Sequence, residues 1–289
     1  MLSDLQQELK KKPFLTNKAK IIEKLSSLLN DSIQPYIKKE RVGIAFSGGI
    51  DSTLLAYLYS THSRNFMLYA VGLEGGSKDL PRAAMVAAKM KFPLKIKIIT
   101  KSEAILILED VMAALKEAGL NPTPMDVGIA SVIYSVMLMA QKDNIKEILY
   151  GICMDEPFAG YDHHTSRKEN YQKEYIQEQL WNSLNNLESN ELSRDQAIAK
   201  FANMKLRAPF MNEDLVSYAM QIDPSLKVSK TEKKIILREA ACRLGIPKDI
   251  ANHKKTAAQY GSGFNELIKE LAKENKYPKS IDYLSSLIE

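Results

Sequence analysis

Between residues 41 and 150, short apolar segments alternate with longer segments that have helical patterning. Four apolar segments have the length of buried strands, residues 41–46 (RVGIAF), 66–73 (FMLYAVGL), 94–98 and 147–150. Helices are predicted over residues 53–59, 79–91, 104–118 and 126–141. Strands and helices that alternate in this way form a parallel sheet with helices on both faces. The predicted fold class is therefore α/β, with ligands expected beyond the carboxyl ends of the strands.

The part of the chain after Gly160 is predicted to be helical. A long polar helix there has Leu180 and Leu184 on one face. Ser193 with Gln196, and Ser229 with Glu232, have the spacing of capping boxes that open further helices. Residues 1–40 also show helical spacing and are predicted to be a helical extension, which precedes a domain over residues 41–289.

The segment Ser47-Gly48-Gly49-Ile50-Asp51-Ser52 follows a predicted strand and opens a predicted helix. Consecutive glycines let the backbone approach an anion and present N–H groups to it. The helix N-terminus adds further free N–H groups and a favourable dipole. The two serine hydroxyls can donate to phosphate oxygens, and a carboxylate among them calls for a divalent cation. The segment thus predicts a phosphate site that includes a metal ion.

Other interpretations of this segment are weaker. A Walker A loop requires a lysine where Gly49 stands. A nucleophile elbow would make Ser47 the nucleophile, with His163, His164 or His253 as its base, but the leading glycine of that motif is missing. A glycine-rich turn without a ligand leaves Asp51 unexplained.

Residues 47–52 resemble the pyrophosphate-binding loop of the ATP pyrophosphatases, and further segments resemble asparagine synthetases. Residues 70–80 resemble Val-Gly-Leu…Asp-Leu, and residues 150–161 (YGICMDEPFAGY) resemble Ser-Gly-x-Gly-x-Asp-Glu-x-Phe-Gly-Gly-Tyr. Residues 206–212 (LRAPFMN) resemble Ala-Arg-Val-Pro-Phe-Leu-Asp, and residues 236–255 resemble the Leu-Arg…Leu-Pro…Arg-x-Lys ending. The chain therefore resembles the synthetase domain of asparagine synthetase, which implies an adenine nucleotide α-hydrolase-like fold.

The resemblance implies an AMP-forming ligase that activates a carboxylate, by default that of aspartate, and amidates it with ammonia. ATP and Mg²⁺ are the implied cofactors. By position, the residues implied to hold the pyrophosphate end of ATP are Ser47, Gly48, Gly49, Asp51 and Ser52. Those implied to contact the adenosine portion are Phe46, Val71, Tyr150 and Gly151. Asp51 and Asp155 match the two magnesium-binding aspartates, and Lys255 matches a lysine that reaches the phosphates.

Two departures from the family pattern concern the amide-forming step. Ile152 stands where asparagine synthetases have a glutamate implicated in the ammonia attack, and Cys153 stands at a glycine position. The resemblance covers the synthetase domain without the glutaminase domain of those enzymes, so we expect free ammonia or a separate glutaminase subunit. Adenylation of another acceptor, such as a tRNA nucleoside, and a catalytically degenerate nucleotide-binding partner stay open as alternatives. A catalytic thiol at Cys153 competes with a small buried residue.

Composition limits the remaining classes. Forty basic and 35 acidic residues give a net charge of +5, which suits an anionic ligand such as ATP without demanding nucleic acid. The two cysteines exclude a disulfide framework. No apolar run approaches the roughly 18 residues of a bilayer span, the longest being residues 130–140, and no secretory signal is visible. A cytoplasmic homo-oligomer without a membrane partner is expected.

Overall fold

The computed structural model describes residues 2–10, 12–77, 79–164, 173–253 and 261–288. The strands are β1 Val42–Ala45, β2 Phe66–Leu73, β3 Leu94–Ile99, β4 Glu147–Leu149 and β5 Lys205–Arg207. The helices are α1 Leu2–Leu9, α2 Lys18–Ile33, α3 Ile50–His62, α4 Asp79–Met90, α5 Lys101–Glu117, α6 Pro124–Lys142, α7 Lys173–Asn186, α8 Leu192–Phe201, α9 Glu213–Gln221, α10 Pro224–Lys227, α11 Ile235–Leu244, α12 Lys248–Ala251, α13 Phe264–Glu274 and α14 Ser280–Ser286.

The five strands form one parallel sheet in the order β3-β2-β1-β4-β5. Ile44 at the centre pairs with Leu68 on one side and with Leu149 on the other. One apolar core contains residues of α2, α3, α4 and α11, and a second contains residues of α5, α6 and α13. The α/β class with helices on both faces is confirmed. The strand order reverses between β1 and β4, which is where such sheets bind ligands.

The four predicted strands are all present, and β5 was not predicted. It has three residues, of which only Leu206 is apolar, and its two ends are exposed. So short a strand carries no alternating pattern in the sequence. Pairing with β4 through Leu206 opposite Ile148 defines it.

Helix α6 is longer than the helix that the sequence predicts over residues 126–141. Thr123 and Asp126 form a capping box, Pro124 occupies the first turn, and the helix continues for 19 residues. Among the described helices, it alone has the length and composition of a membrane span, so the expectation that nothing approaches that length was wrong. Over half of the residues in the apolar stretch of α6 are buried, because α6 packs against α5, α8 and α13. This burial is typical of a core helix.

Both capping-box predictions were wrong about where helices begin. Ser193 lies inside a continuous helical stretch, because a π-helical turn over Leu187–Glu191 joins α7 to α8. The Ser229 hydroxyl does accept a hydrogen bond from the Glu232 N–H at 3.0 Å. The helix nevertheless begins only at Ile235, after Lys234 in the left-handed region with φ 58°.

The first forty residues contain α1 and α2. Asn17 caps α2 by accepting a hydrogen bond from the Lys20 N–H. Leu25 and Leu29 of α2 are fully buried in the same core as α3 and α11. The boundary between residues 40 and 41 stays a prediction.

Candidate active site at the carboxyl edge of the sheet

The turn between β1 and α3 lies at the point where the strand order reverses. Gly48 has φ +72°, and a Cβ there would lie 2.9 Å from Ala83 Cα and 3.0 Å from Ala83 N. Because the obstacle is backbone of α4, no side chain fits without moving a helix. Gly49 then caps α3, whose first turn carries Asp51. The segment thus forms a tight turn from strand to helix with the backbone geometry that the sequence predicts, and its binding of an anion stays a prediction.

Hydrogen bonds within the turn fix its shape. The Ser52 hydroxyl donates to the Gly49 carbonyl at 3.3 Å and accepts from the Ser47 N–H at 3.3 Å. The Ser47 hydroxyl accepts from the Gly49 N–H at 3.3 Å. Arg82 Nε on α4 donates to the Gly48 carbonyl at 3.2 Å. This guanidinium was not recognised from the sequence, and it ties the turn to the neighbouring helix.

The loop after β4 contacts the start of α3. A Cβ on Gly151 would lie 3.1 Å from the Asp51 carbonyl carbon and 3.2 Å from Ser52 N. Tyr150 continues the sheet pairing by donating its N–H to the Arg207 carbonyl at 3.0 Å. The turn after β1 and the loop after β4, both of which the sequence assigns to the nucleotide, therefore meet. They do so because β1 and β4 are neighbours in the sheet.

Asp51 and Asp155 converge on one buried ammonium. Lys234 Nζ donates to both carboxylate oxygens of Asp51 at 2.6 Å and lies 2.8 Å from Asp155 Oδ1. The Lys234 side chain is 1% exposed, whereas those of the aspartates are 16% and 14% exposed. We call these three residues the ion triad. Within the described ranges, no group of three or more His, Cys, Asp or Glu side chains could hold a metal by itself.

Gly160 makes room for the ion triad. A Cβ at this position would lie 1.8 Å from Asp155 Oδ1 and 2.5 Å from Lys234 Cε. The Gly160 N–H donates to the Asp155 carbonyl at 2.8 Å, which closes the loop on itself. The preceding Ala159 has φ 57°, so this loop holds a left-handed residue that carries a side chain. The motif 150–161 is thus shaped around the Asp155 carboxylate.

Glu156 is a second buried acid beside the triad. Its side chain accepts a hydrogen bond from the Tyr161 hydroxyl at 2.5 Å, while Oε2 has no hydrogen-bond partner among the described residues. Burial, and then the charge of Asp155, raise the pKa of Glu156 to about 7. This carboxyl can therefore hold or release a proton near neutral pH. The sequence motif includes Glu156 without indicating this environment.

The residues predicted to contact adenosine lie on the same edge. Phe46 follows β1 and Val71 lies near the end of β2, and both are buried. Burial and the adjacent Asp195 raise the pKa of Tyr150 above its ordinary range. Asp195 pairs with Arg194 at 2.8 Å, so Tyr150 is held by a buried polar cluster from α8. Their contact with adenosine stays a prediction.

The altered positions of the motif are apolar in character. Cys153 is buried, and burial raises the pKa of its thiol well above the usual range, which disfavours a thiolate nucleophile. Ile152 packs against the same apolar cluster. Cys153 also has φ 66° at the position where the family pattern has glycine.

The described histidines give no support to a nucleophile elbow. His163 and His164 each lie within hydrogen-bond distance of the Ser183 hydroxyl, at 3.3 and 3.0 Å. The partners of the Ser47 hydroxyl within the described chain are Ser52 and Gly49. A serine without a base keeps an unactivated hydroxyl.

Lys255 lies outside the described residues, in the segment 254–260, so its predicted role stays a prediction. The residues that flank this segment lie at the same edge of the sheet. The His253 carbonyl accepts from Arg238 Nη1 at 3.0 Å, and the Gly261 carbonyl accepts from the Ser77 hydroxyl at 3.1 Å.

The fold and this edge define a doubly wound α/β protein with a glycine-rich turn at the point where the strand order reverses. The family model described as asparagine synthase matches residues 24–174 and 163–282. The chain belongs to the asparagine synthase family.

Two curated relatives agree with this membership. A putative glutamine-hydrolysing asparagine synthetase 1 of Methanocaldococcus jannaschii is 31% identical over an alignment of 290 residues, and the alignment covers 89% of this chain and 52% of the relative. Asparagine synthetase domain-containing protein 1 of Mus musculus is 33% identical over 147 residues, covering 49% and 23%. An NMN synthetase structure from Francisella tularensis aligns over 94% of this chain and 93% of its own, with 14% identity and a TM-score of 0.42. The chain spans about half, or less, of the length of the curated relatives it matches.

Proposed function

We propose that the chain is an AMP-forming, ATP-dependent carbon–nitrogen ligase of asparagine synthetase type, with aspartate as the carboxylate substrate and ammonia as the nucleophile. The observation that carries the proposal is the convergence of Asp51 and Asp155 beside the Gly48–Gly49 turn, at the switch point of the sheet. Membership of the asparagine synthase family supports this assignment.

The donor set fits magnesium. Carboxylate oxygens from two adjacent loops approach one point, and Mg²⁺ in phosphoryl-transfer sites is bound by one or two carboxylates together with substrate phosphates. Asp51 and Asp155 would hold the ion, which would offset the negative charge that builds on the phosphates. The N–H groups of the turn and of α3 would bind the pyrophosphate portion of ATP.

The proposed reaction has two steps. The carboxylate oxygen of aspartate bonds to the α-phosphorus while the bond from that phosphorus to the bridging oxygen breaks, which releases pyrophosphate. Ammonia then bonds to the acyl carbon and loses a proton, and AMP leaves with the bond electrons. In this scheme Lys255 places a cation against the phosphates, and cations fixed there stabilise the transition state.

A second candidate keeps the first step and changes the nucleophile. It is favoured by Ile152 and Cys153, which are packed in an apolar cluster and offer no ionised group to the incoming amine. Under this hypothesis the adenylate is consumed by another amine, a modified nucleoside among the candidates. A degenerate subunit that binds ATP without turnover stays the alternative in which neither step occurs.

The decisive assay is exchange of labelled pyrophosphate into ATP with and without aspartate, followed by addition of ammonium. Exchange that requires aspartate, with asparagine appearing after ammonium, supports the proposal. Aspartate-dependent exchange without asparagine transfers support to the second candidate. Absence of exchange with aspartate, while ATP binds, would refute adenylation of aspartate.

Paired variants test the site itself. Asp51→Asn should lower exchange about a hundredfold or more, because the carboxylate that would hold the cation is lost. Asp31→Asn, at an exposed position on α2, removes the same charge and should leave exchange unchanged. Equal rates in the two variants would contradict the placement of the site.

A further inference from the structure

The ion triad joins segments that are far apart in the chain. Lys234 is 183 residues beyond Asp51, and it stands between the turn after β1 and the loop after β4, each of which supplies one aspartate. Both carboxylates meet the same Nζ within 2.8 Å. Without this ammonium, two like charges would face each other at a largely buried point, and such pairs separate or take up a proton.

The backbone at Lys234 has an unusual conformation that directs this side chain to the two aspartates. Lys234 has φ 58°, a conformation that costs a residue with a side chain about 1 kcal/mol or more. It immediately precedes α11, and Arg238 on that helix donates through Nε to the Lys233 carbonyl at 2.9 Å. A Cβ on Gly160 would overlap both Lys234 Cε and the Asp155 carboxylate, so this arrangement requires a glycine there. The left-handed backbone at Lys234 and the glycine at position 160 are both needed for the Lys234 side chain to reach the two aspartates.

We propose that Lys234 is a positioning residue that assembles the nucleotide site before the nucleotide arrives, and that the divalent cation entering with ATP takes carboxylate oxygens that its ammonium now binds. The inference rests on the proposed function, because it assumes that Asp51 and Asp155 receive that cation. It goes further by assigning a role in cation exchange to a lysine outside the recognised motifs.

The exchange has a simple electrostatic reason. The ammonium balances one of the two carboxylate charges and therefore weakens binding of a bare divalent cation at the same point. ATP brings phosphate oxygens that complete the coordination of the cation and can also accept from a displaced ammonium. The Lys234 ammonium therefore favours binding of the metal–nucleotide complex over binding of the free metal. When no nucleotide is bound, it keeps the two aspartate-bearing segments together.

The test compares Lys234→Met with Lys233→Met. Lys233 is the adjacent residue, and it pairs at 2.8 Å with Asp162, whose side chain is 91% exposed, so its removal changes the net charge equally without touching the triad. Binding of Mn²⁺ alone is measured by electron paramagnetic resonance, and binding of a non-hydrolysable ATP analogue with Mg²⁺ is measured by calorimetry. Neither readout depends on turnover.

In Lys234→Met, Mn²⁺ alone should bind about tenfold more tightly or better, because a competing cation is gone. The same variant should bind the magnesium–analogue complex about tenfold more weakly or worse, because the site is no longer pre-assembled. Lys233→Met should match the wild type in both measurements. Unchanged Mn²⁺ affinity in a folded Lys234→Met protein overturns the proposal. Failure of the wild type to bind the analogue refutes the proposed function instead.

Should Lys234→Met fail to fold, the wild type provides the second measurement. The side-chain amine of Lys234, labelled with ¹⁵N and assigned by its loss in Lys234→Arg, is followed by NMR. Addition of the analogue with Mg²⁺ should shift this signal, and addition of the analogue with a chelator should shift it much less. Equal signals under the two conditions would show that the cation does not take oxygens from Lys234, and the proposal would fall.

Discussion

A buried lysine outside the active site provides the sharpest test of the electrostatics. Lys227 lies in the short helix α10 and is fully buried, and its Nζ has no hydrogen-bond partner among the described residues. Burial lowers the pKa of Lys227 from its ordinary 10.5 to about 7, and the charge of Asp223 opposes this in part. Asp223 itself is engaged by Lys173 at 2.5 Å. The folded protein therefore resists protonation of this amine.

The size of the effect follows from the two pKa values. The unfolded chain binds the proton more tightly, so unfolding is favoured at low pH, and stability rises with pH between about 7 and 10.5. At about 1.36 kcal/mol for each pH unit, the folded state loses about 5 kcal/mol at pH 6 and about 2 kcal/mol at pH 9. Lys227→Met fills similar volume without a charge. It should be more stable than the wild type by about these amounts.

Urea unfolding at pH 6 and pH 9 measures the difference directly. The stability advantage of Lys227→Met should shrink by about 3 kcal/mol between the two conditions. Lys230→Met removes a charge at an exposed position three residues away and should show a nearly constant, small difference. A Lys227→Met advantage that does not change with pH would refute the reasoning, as would destabilisation at pH 6.

Three further outcomes are expected. Gly160→Ala, whose added Cβ overlaps the ion triad, should lose about 1–3 kcal/mol of stability and abolish analogue binding in calorimetry, whereas Gly76→Ala, with its nearest atom 3.8 Å away, should keep that binding. Burial raises the pKa of Cys153, so at pH 8 iodoacetamide should label the less buried Cys242 first, and equal labelling rates would contradict the buried site. The raised pKa of Glu156 means that ionising its carboxyl destabilises the folded protein above pH 7. Relative to the wild type, Glu156→Gln should therefore gain about 3 kcal/mol of stability as the pH rises from about 4.5 to above 7. A stability difference between the two proteins that does not change with pH in thermal unfolding would argue against this.

Much of the sheet and the turn could be predicted because the relevant signals are local. Strand β2 was predicted over its observed residues, since a short apolar run that is followed by Gly75 and Gly76 favours a buried strand. The turn with Gly48 was predicted because consecutive glycines between a strand and a helix indicate a backbone conformation or a close approach that other residues do not allow. The capping boxes failed for the same reason: Ser229 does bond to the Glu232 N–H, but a local bond cannot tell a turn from a helix start.

The sequence by itself determined the alternation of strands and helices and the glycine-rich turn at residues 47–52, because each depends on residues that are neighbours in the chain. Only the tertiary structure decided that Lys234 holds both aspartates, that Gly160 leaves room for them, and that Glu156 is buried enough to have a pKa of about 7. The physical reason is that charge pairing, exclusion of water and steric clearance depend on distances through space. Segments separated by more than a hundred residues acquire those distances only when the sheet has placed their loops at one edge.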